Sequence, residues 1–229
     1  MSDIFQPKNY IRDYKKASDA EHVEGVWVHP KLLYPHESCT QEAVIVALSA
    51  LKVQLAVNNY GVGACYFGPG NDRNKSMHIK GNEKQEVSDQ LIHAVVARAA
   101  LHAVGNMTQR GGGGSGSPQG QRFVHGIDMA NVRRAVFKVD SPFMAGLLTK
   151  DGRAKMRRPG WTSSFDKDEK LEDPSWLDAI ELEIDRLASL GLEVLVWHVS
   201  EGETTEAAAV MDGALWEIDG DGDYDPGSD

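Results

Sequence analysis

Apolar residues along the chain fall into five short runs that are typical of β-strands: residues 43–51, 62–68, 76–81, 133–141 and 192–199. Apolar positions recur with the period of a helix in four other segments: residues 87–104, 142–150, 174–191 and 204–218. Short turns join the first three strands, which predicts antiparallel neighbours, whereas helices precede the later strands, which predicts parallel pairing. The pattern therefore predicts an α/β fold: a mixed five-stranded sheet with helices on both faces.

Three segments differ in composition from this region. Residues 1–40 are polar and aromatic and are interrupted by prolines, so we expect an N-terminal extension. Residues 111–121, GGGGSGSPQGQ, predict a flexible loop. Residues 219–229 predict a disordered acidic tail. The predicted domain spans residues 41–218.

The charge of the chain limits the partners that charge alone could attract. The formal net charge is −10, and it would be −4 without the six acids of residues 217–229. Such a balance argues against a protein that binds nucleic acid by charge alone. Cys39 and Cys65 lack metal-site spacing and predict a reducing compartment, the cytoplasm or the nucleus. The sequence shows no secretory leader and no apolar run of 18 residues, so we expect no membrane association.

Several passages resemble the ribonuclease H family when they are taken in order: NNYGVGACYFGPGN (58–71), VFKVDSPFMAGLLTK (136–150), RRPGWTSS (157–164), SWLDAIELEIDRLASLGLEVLVWHV (175–199) and EGETTEAAAVMDGAL (201–215). They correspond to a loop with two asparagines, an Asp-Ser strand end, a Gly-Trp loop, a long helix leading into a strand, and the final helix. The resemblance implies a ribonuclease H-like fold.

The resemblance also implies a chemistry that this chain is poorly equipped to perform. The family cleaves the RNA strand of RNA–DNA hybrids with two divalent ions, usually Mg²⁺, held by four carboxylates. Asp140 matches the acid of the Asp-Ser pair. Ser49, Gln90 and Ala208 stand near the other three positions, on the first strand, the first helix and the last helix. We therefore expect a degenerate, catalytically inactive member, with Asp140 as a residual catalytic position and a weak metal ligand.

Alternatives remain open at each of these places. Asp89 and Asp212 lie close enough in sequence to join Asp140 in an atypical acidic site, which would make the protein an active Mg²⁺-dependent hybrid ribonuclease. Otherwise no cofactor is expected. Asp140 could instead cap the helix that follows it. Glu206 is expected to face away from the site, and His198 is expected to be a satisfied structural histidine on an apolar strand.

The family's binding surface could persist without the metals. Six residues are candidates for contacting nucleic acid: Asn58, Asn59, Lys155, Arg157, Arg158 and Trp161. Cations beside an aromatic side chain suit a phosphate backbone and a sugar face, although a solvated loop and a simple turn would look the same in sequence. The leading hypothesis is an inactive ribonuclease H-like protein that binds nucleic acid (an RNA–DNA hybrid or RNA) or a protein partner.

Overall fold

The structure, a computed structural model, describes residues 4, 43–55, 58–68, 71, 73–81, 86–110, 123–124, 127–128, 132–163, 165 and 169–220. In this part of the chain the strands are β1 (Ala43–Leu55), β2 (Asn58–Tyr66), β3 (Lys75–Lys80), β4 (Phe123–Val124), β5 (Ile127–Asp128), β6 (Arg134–Val139) and β7 (Glu193–His198). The helices are α1 (Asp89–Arg110), α2 (Pro142–Leu148), α3 (Lys150–Met156), α4 (Ser175–Ser189) and α5 (Thr205–Gly220).

Five of the strands form one sheet in the order β3-β2-β1-β6-β7. Strands β3, β2 and β1 are antiparallel neighbours, and β6 pairs parallel with both β1 and β7. The predicted mixed sheet, with an antiparallel meander followed by parallel strands, is confirmed. The carboxyl ends of β1, β6 and β7 therefore point to the same edge of the sheet.

The two faces of the sheet are covered by different helices, as predicted. On one face, side chains of β1 such as Val44, Val46 and Leu48 pack in a core with α1 and α4. On the other face, α5 buries Met211 and Ala214 with residues of β2. Alternation along β1 produces this division, because successive side chains of a strand point to opposite faces.

Several elements differ from the prediction in their bounds or their type. β1 continues to Leu55, because β2 begins at Asn58 and pairs with it along that length. β2 ends at Tyr66, since Gly68 adopts a φ of 116° and starts a turn. Residues 150–156 form α3 rather than a loop, with the Thr149 side chain accepting a hydrogen bond from the Gly152 N–H as its cap. The short β4–β5 hairpin had no signal in the sequence pattern.

Within the described residues, no helix combines the length and the apolar character that crossing a bilayer requires. The predicted loop at 111–121 and residues 221–229 of the predicted tail lie outside the described residues, as does the predicted extension apart from Ile4. The division into extension, domain and tail stays a prediction.

Candidate acidic site and nucleic-acid interface

Asp140 directly follows β6 and connects the end of that strand to the start of the last helix. Its Oδ2 accepts hydrogen bonds from the Thr204 hydroxyl at 2.8 Å and from the Gly202 N–H at 3.2 Å. The alternative that Asp140 caps the next helix is wrong, because Ser141 does so by accepting a bond from the Met144 N–H. The Asp140 carboxylate thus already holds the loop that leads into α5.

Ser49 and Asp140 each follow the last pair in the parallel register of β1 and β6, which is Leu48 and Val139. The correspondence of Ser49 to the family's strand-one acid stays a prediction. Ser49 pairs with Ala64 of β2 and is half-buried. A neutral hydroxyl at this place supplies no countercharge for a divalent ion.

Gln90 is fully buried in the first turn of α1, and both ends of its amide are occupied. Its Nε2 donates to the Lys170 carbonyl at 2.8 Å, and its Oε1 accepts from the Glu172 N–H at 3.3 Å. Ser88 caps the same helix by accepting from the Leu91 N–H, and it donates to the Glu172 carboxylate. A carboxylate could not reproduce these contacts, because an ionised acid only accepts.

The last helix contradicts one expectation. Ala207 of α5 is buried in the core. Glu206 and Ala208, its neighbours in sequence, therefore lie on either side of the buried face, each rotated about 100° around the helix axis from Ala207. The Glu206 carboxylate lies 3.8 Å from the Lys138 ammonium, so the prediction that Glu206 faces away from the site is wrong. Asp212 is exposed.

Lys138 places a positive charge inside the candidate acidic site. It lies on β6 two residues before Asp140, on the same face, and only 4% of it is exposed. Its ammonium pairs with Glu206 and lies 5.7 Å from the ring centroid of Trp197. A fixed cation offsets part of the negative charge that two divalent ions would need nearby.

The described residues do not fit a two-metal site. Among them, no three His, Cys, Asp or Glu side chains lie close enough to hold a metal ion. Asp140, Asp89 and Asp212 are therefore not brought together as the alternative would require. The Asp89 backbone carbonyl accepts a hydrogen bond of 2.6 Å from Nδ1 of His93.

Sequence reasoning missed His93. The side chain is 4% exposed and packs against Phe143 and Phe165, with ring centroids 6.2 and 4.8 Å away. Burial lowers the pKa of His93, although the Asp89 carbonyl and the charge of Asp140 oppose the shift. The only signal was a histidine one turn after Asp89, within the otherwise apolar stretch of residues 91–97.

His198, in contrast, is exposed at the end of β7, so the prediction of a satisfied structural histidine is wrong. β7 is the outer strand of the sheet, and its last residue lies beside a pocket rather than under a helix.

This pocket, here called the α2–α3 groove, has a volume of about 610 Å³. Phe143, Met156 and Trp161 give it apolar walls, and the rings of Phe143 and Trp161 are 6.1 Å apart. Lys150 and Lys155 are among its polar lining. The groove combines an aromatic surface with cations, which is the combination that the sequence predicted for this segment.

The predicted cluster of cations is divided by the structure. Lys155 and Arg158 are exposed. Arg157 instead binds Asp178 at 2.8 Å and Glu181 at 2.7 Å, and these bonds raise its pKa. The positive charge that Arg157 offers to a phosphate is therefore largely offset by α4.

The two asparagines lie in the β1–β2 hairpin rather than at the α2–α3 groove. Oδ1 of Asn59 accepts a hydrogen bond of 2.8 Å from the Val87 N–H, just before α1. This bond gives Asn59 a structural role, since it joins the β1–β2 hairpin to the residues just before α1. The side chain of Asn58 lies outside the described residues.

No family model and no curated protein matches the chain. The antiparallel meander, the parallel strands that follow it and the helices on both faces agree with the fold that the resemblance implied. The domain has a ribonuclease H-like fold.

Solved structures resemble this ribonuclease H-like domain at low identity. LC11-RNase H1 in complex with RNA/DNA hybrid is 10% identical, with a TM-score of 0.39, 75% of this chain covered and 98% of that chain. RNase H1 from the archaeon Halobacterium salinarum is 12% identical, with a TM-score of 0.35, covering 76% and 98%. The foamy viral protease-reverse transcriptase in complex with dsDNA is 12% identical, with a TM-score of 0.38, covering 75% and 88%. At these TM-scores the solved structures do not establish the fold, which is assigned from the arrangement of the strands and helices.

Proposed function

We propose that this ribonuclease H-like domain is non-catalytic and binds nucleic acid, either RNA or an RNA–DNA hybrid. The side chains at the family's four acidic positions carry the first half of the proposal. The only carboxylate that matches the family's pattern is engaged by Gly202 and Thr204. Three residues without a carboxylate stand near the family's other acidic positions. Gln90 binds the backbone of a loop, Ser49 is neutral and Ala208 has no polar side-chain group.

The α2–α3 groove supports the second half. Stacking of a base on an aromatic side chain contributes about 1–3 kcal/mol, and each exposed cation near a phosphate releases counterions. Trp161, which is half-buried and packs against the buried ring of Phe143, provides aromatic surface, and Lys155 and Arg158 provide exposed charge. Because the free cations are few, we expect weak binding that falls as salt is added. These features favour nucleic acid over a protein partner, which remains an outcome of the test.

The test is to mix the protein with a labelled RNA–DNA hybrid and with labelled single-stranded RNA, in Mg²⁺ and in Mn²⁺, and to follow cleavage and binding together. We expect binding without cleavage for the wild type and for Asp140→Asn, which preserves the shape of the side chain and an acceptor oxygen. The matched control is Asp185→Asn, at an exposed acid of α4.

Two results would contradict the proposal. Metal-dependent cleavage that is lost in Asp140→Asn and retained in Asp185→Asn would establish the active alternative. Failure of the wild type to bind either nucleic acid, even at low salt, would exclude the nucleic-acid half and leave a protein partner as the better explanation of the groove.

A further inference from the structure

Lys138 is a buried cation on the face of the sheet that α5 covers. Its neighbours in β6, Phe137 and Val139, pack on the opposite face with α1 and α4, so the Lys138 side chain points towards α5. The strand register places Ala47 of β1 and Trp197 of β7 on either side of Lys138. Lysine is almost never buried this deeply without a partner, so this face must supply an opposite charge.

Glu206, in the first turn of α5, supplies that charge. Its Oε2 lies 3.8 Å from the Lys138 ammonium. Both oxygens of the Glu206 carboxylate are buried, and neither has a hydrogen-bond partner in the part of the chain that the structure describes. An ionised carboxylate that is buried without donors needs a nearby cation. The Lys138 ammonium therefore compensates the charge of Glu206.

Asp140, the second acid on this face, is also compensated by the chain itself. Its Oδ2 accepts from the Thr204 hydroxyl and the Gly202 N–H, just before α5. The pattern that the resemblance implies is different, since there divalent ions neutralise the acids of the strand end and of the last helix. Here one acid precedes Ala208 by two residues and the other ends β6, and side-chain and backbone groups of the protein hold both.

We infer that Lys138 is a built-in replacement for the metal charge on this face: its ammonium compensates Glu206, links β6 to α5 and excludes divalent cations. A magnesium ion bound to Oε2 of Glu206, at about 2.1 Å, would lie within about 6 Å of the ammonium. At that distance, and even at the dielectric constant of water, repulsion between a divalent ion and a unit charge weakens binding about tenfold. The inference deepens the non-catalytic half of the proposed function and rests on it.

The experiment titrates the full chain with Mn²⁺ alone, without nucleic acid, and measures free Mn²⁺ by electron paramagnetic resonance and the melting temperature of the protein. Lys138→Met removes the charge and keeps an unbranched apolar stem beside Trp197. We expect Lys138→Met to bind Mn²⁺ at least about tenfold more tightly than the wild type, and its melting temperature to rise with added Mn²⁺. The double variant Lys138→Met/Glu206→Gln should lose this gain.

Two further variants make the result specific. Lys75→Met, at an exposed lysine of β3, changes the net charge by the same amount and should keep the wild-type affinity for Mn²⁺. Lys138→Gln retains a donor for Glu206, so it provides the test if Lys138→Met does not fold. An equal gain of affinity in Lys75→Met, or a gain that persists in the double variant, would overturn the assignment of the effect to the Lys138–Glu206 pair.

The failure of this inference and the failure of the proposed function give different results. A wild type that cleaves no hybrid, and whose Lys138 variants gain no affinity for Mn²⁺, would overturn the inference alone. A wild type that binds Mn²⁺ as tightly as Lys138→Met and cleaves the hybrid would overturn both. Tighter Mn²⁺ binding in Lys138→Met or Lys138→Gln, absent from the control and from the double variant, supports the replacement of the metal charge by Lys138.

Discussion

At the scale of single residues, Gln90 shows how the position that the resemblance compares with the family's helix acid has a structural role. Its amide donates to the Lys170 carbonyl and accepts from the Glu172 N–H, so it needs a donor and an acceptor on the same group. Glutamine offers both, whereas ionised glutamate offers only acceptors. The position that the resemblance assigns to a metal ligand is therefore suited to holding residues 170–172 against α1.

His93 leads to a prediction about acid stability. Burial lowers its pKa in the folded protein below the value of about 6.5 that an unfolded histidine has. The unfolded chain therefore binds a proton more readily, and the free energy of unfolding falls as the pH drops below about 6.5. The loss ends below the lowered pKa of the folded state, and its slope cannot exceed about 1.4 kcal/mol per pH unit for one proton.

The measurement is urea unfolding between pH 7.5 and pH 5, for the wild type and for His93→Gln. We expect the variant to have a lower free energy of unfolding at pH 7.5. We also expect that free energy to change less with pH across this range. His78→Gln, at an exposed histidine of β3, should keep the wild-type slope. The low pKa values of Asp173 and Glu86 act at lower pH, where those carboxyls protonate. Equal slopes for His93→Gln and the wild type would rule out His93 as the cause.

At the scale of elements, the sequence was informative where a pattern is local. The continuous apolar run at the start of β1 and the 3.6-residue period of α4 follow from each segment alone, so their types were predicted correctly. α3 was missed because its sequence, KDGRAKM, is polar with a central glycine, and its helix depends on the Thr149 cap and on contact with α2.

The candidate site was less predictable than the fold for the same reason. The partner of Gln90 lies 80 residues away, and that of Asp140 lies 64 residues away. No local pattern encodes such pairs. The prediction for Glu206 failed for a different reason. Helical periodicity sets its angle from Ala208, but no local pattern sets the direction of the helix relative to β6, on which Lys138 lies.

The contact between α2 and α3 supports a prediction about packing. A Cβ atom at Gly152 would lie 2.3 Å from the Gly146 carbonyl oxygen and 2.5 Å from the Gly146 Cα. These are backbone atoms, so the two helices would have to separate. We expect Gly152→Ala to lower the free energy of unfolding by about 1–3 kcal/mol, as overpacking does, measured by urea unfolding.

Gly213→Ala is the matched control for this change. Gly213 lies in α5, and an added Cβ would meet no atom within 4 Å. Alanine there should stabilise the protein by about 0.5–1 kcal/mol, because glycine is the poorer residue in a helix interior. The same substitution thus has opposite effects at two helical glycines. A stable Gly152→Ala protein would show that the α2–α3 contact is not as tight as the structure has it.

At the scale of the whole molecule, charge limits the proposed function. A protein with a net charge of −10 repels a polyanion at long range, so binding must come from a local surface. Lys150 and Lys155 line the α2–α3 groove and are exposed, Arg158 is exposed just after α3, and Arg157 is paired with α4. The distribution of ion pairs, rather than the number of cations, then sets the affinity.

This distribution predicts opposite effects of two double variants on the binding of single-stranded RNA. Lys155→Ser/Arg158→Ser removes two phosphate contacts and should flatten the plot of log affinity against log salt by about 1.4, at about 0.7 per contact on a single strand. Asp178→Asn/Glu181→Gln leaves Arg157 with neutral partners and should steepen the plot by about 0.7. Both are measured by titrations at 50–200 mM salt.

Arg98→Ser, at an exposed cation of α1, controls for the general change in charge and should leave the slope as in the wild type. Removing two acids makes the net charge less negative and raises affinity for any polyanion at long range, but it adds no phosphate contact by itself. The slope, rather than the affinity alone, therefore identifies Arg157 as a new contact. If neither double variant changes the slope, RNA does not bind at the α2–α3 groove, whatever its affinity for the protein.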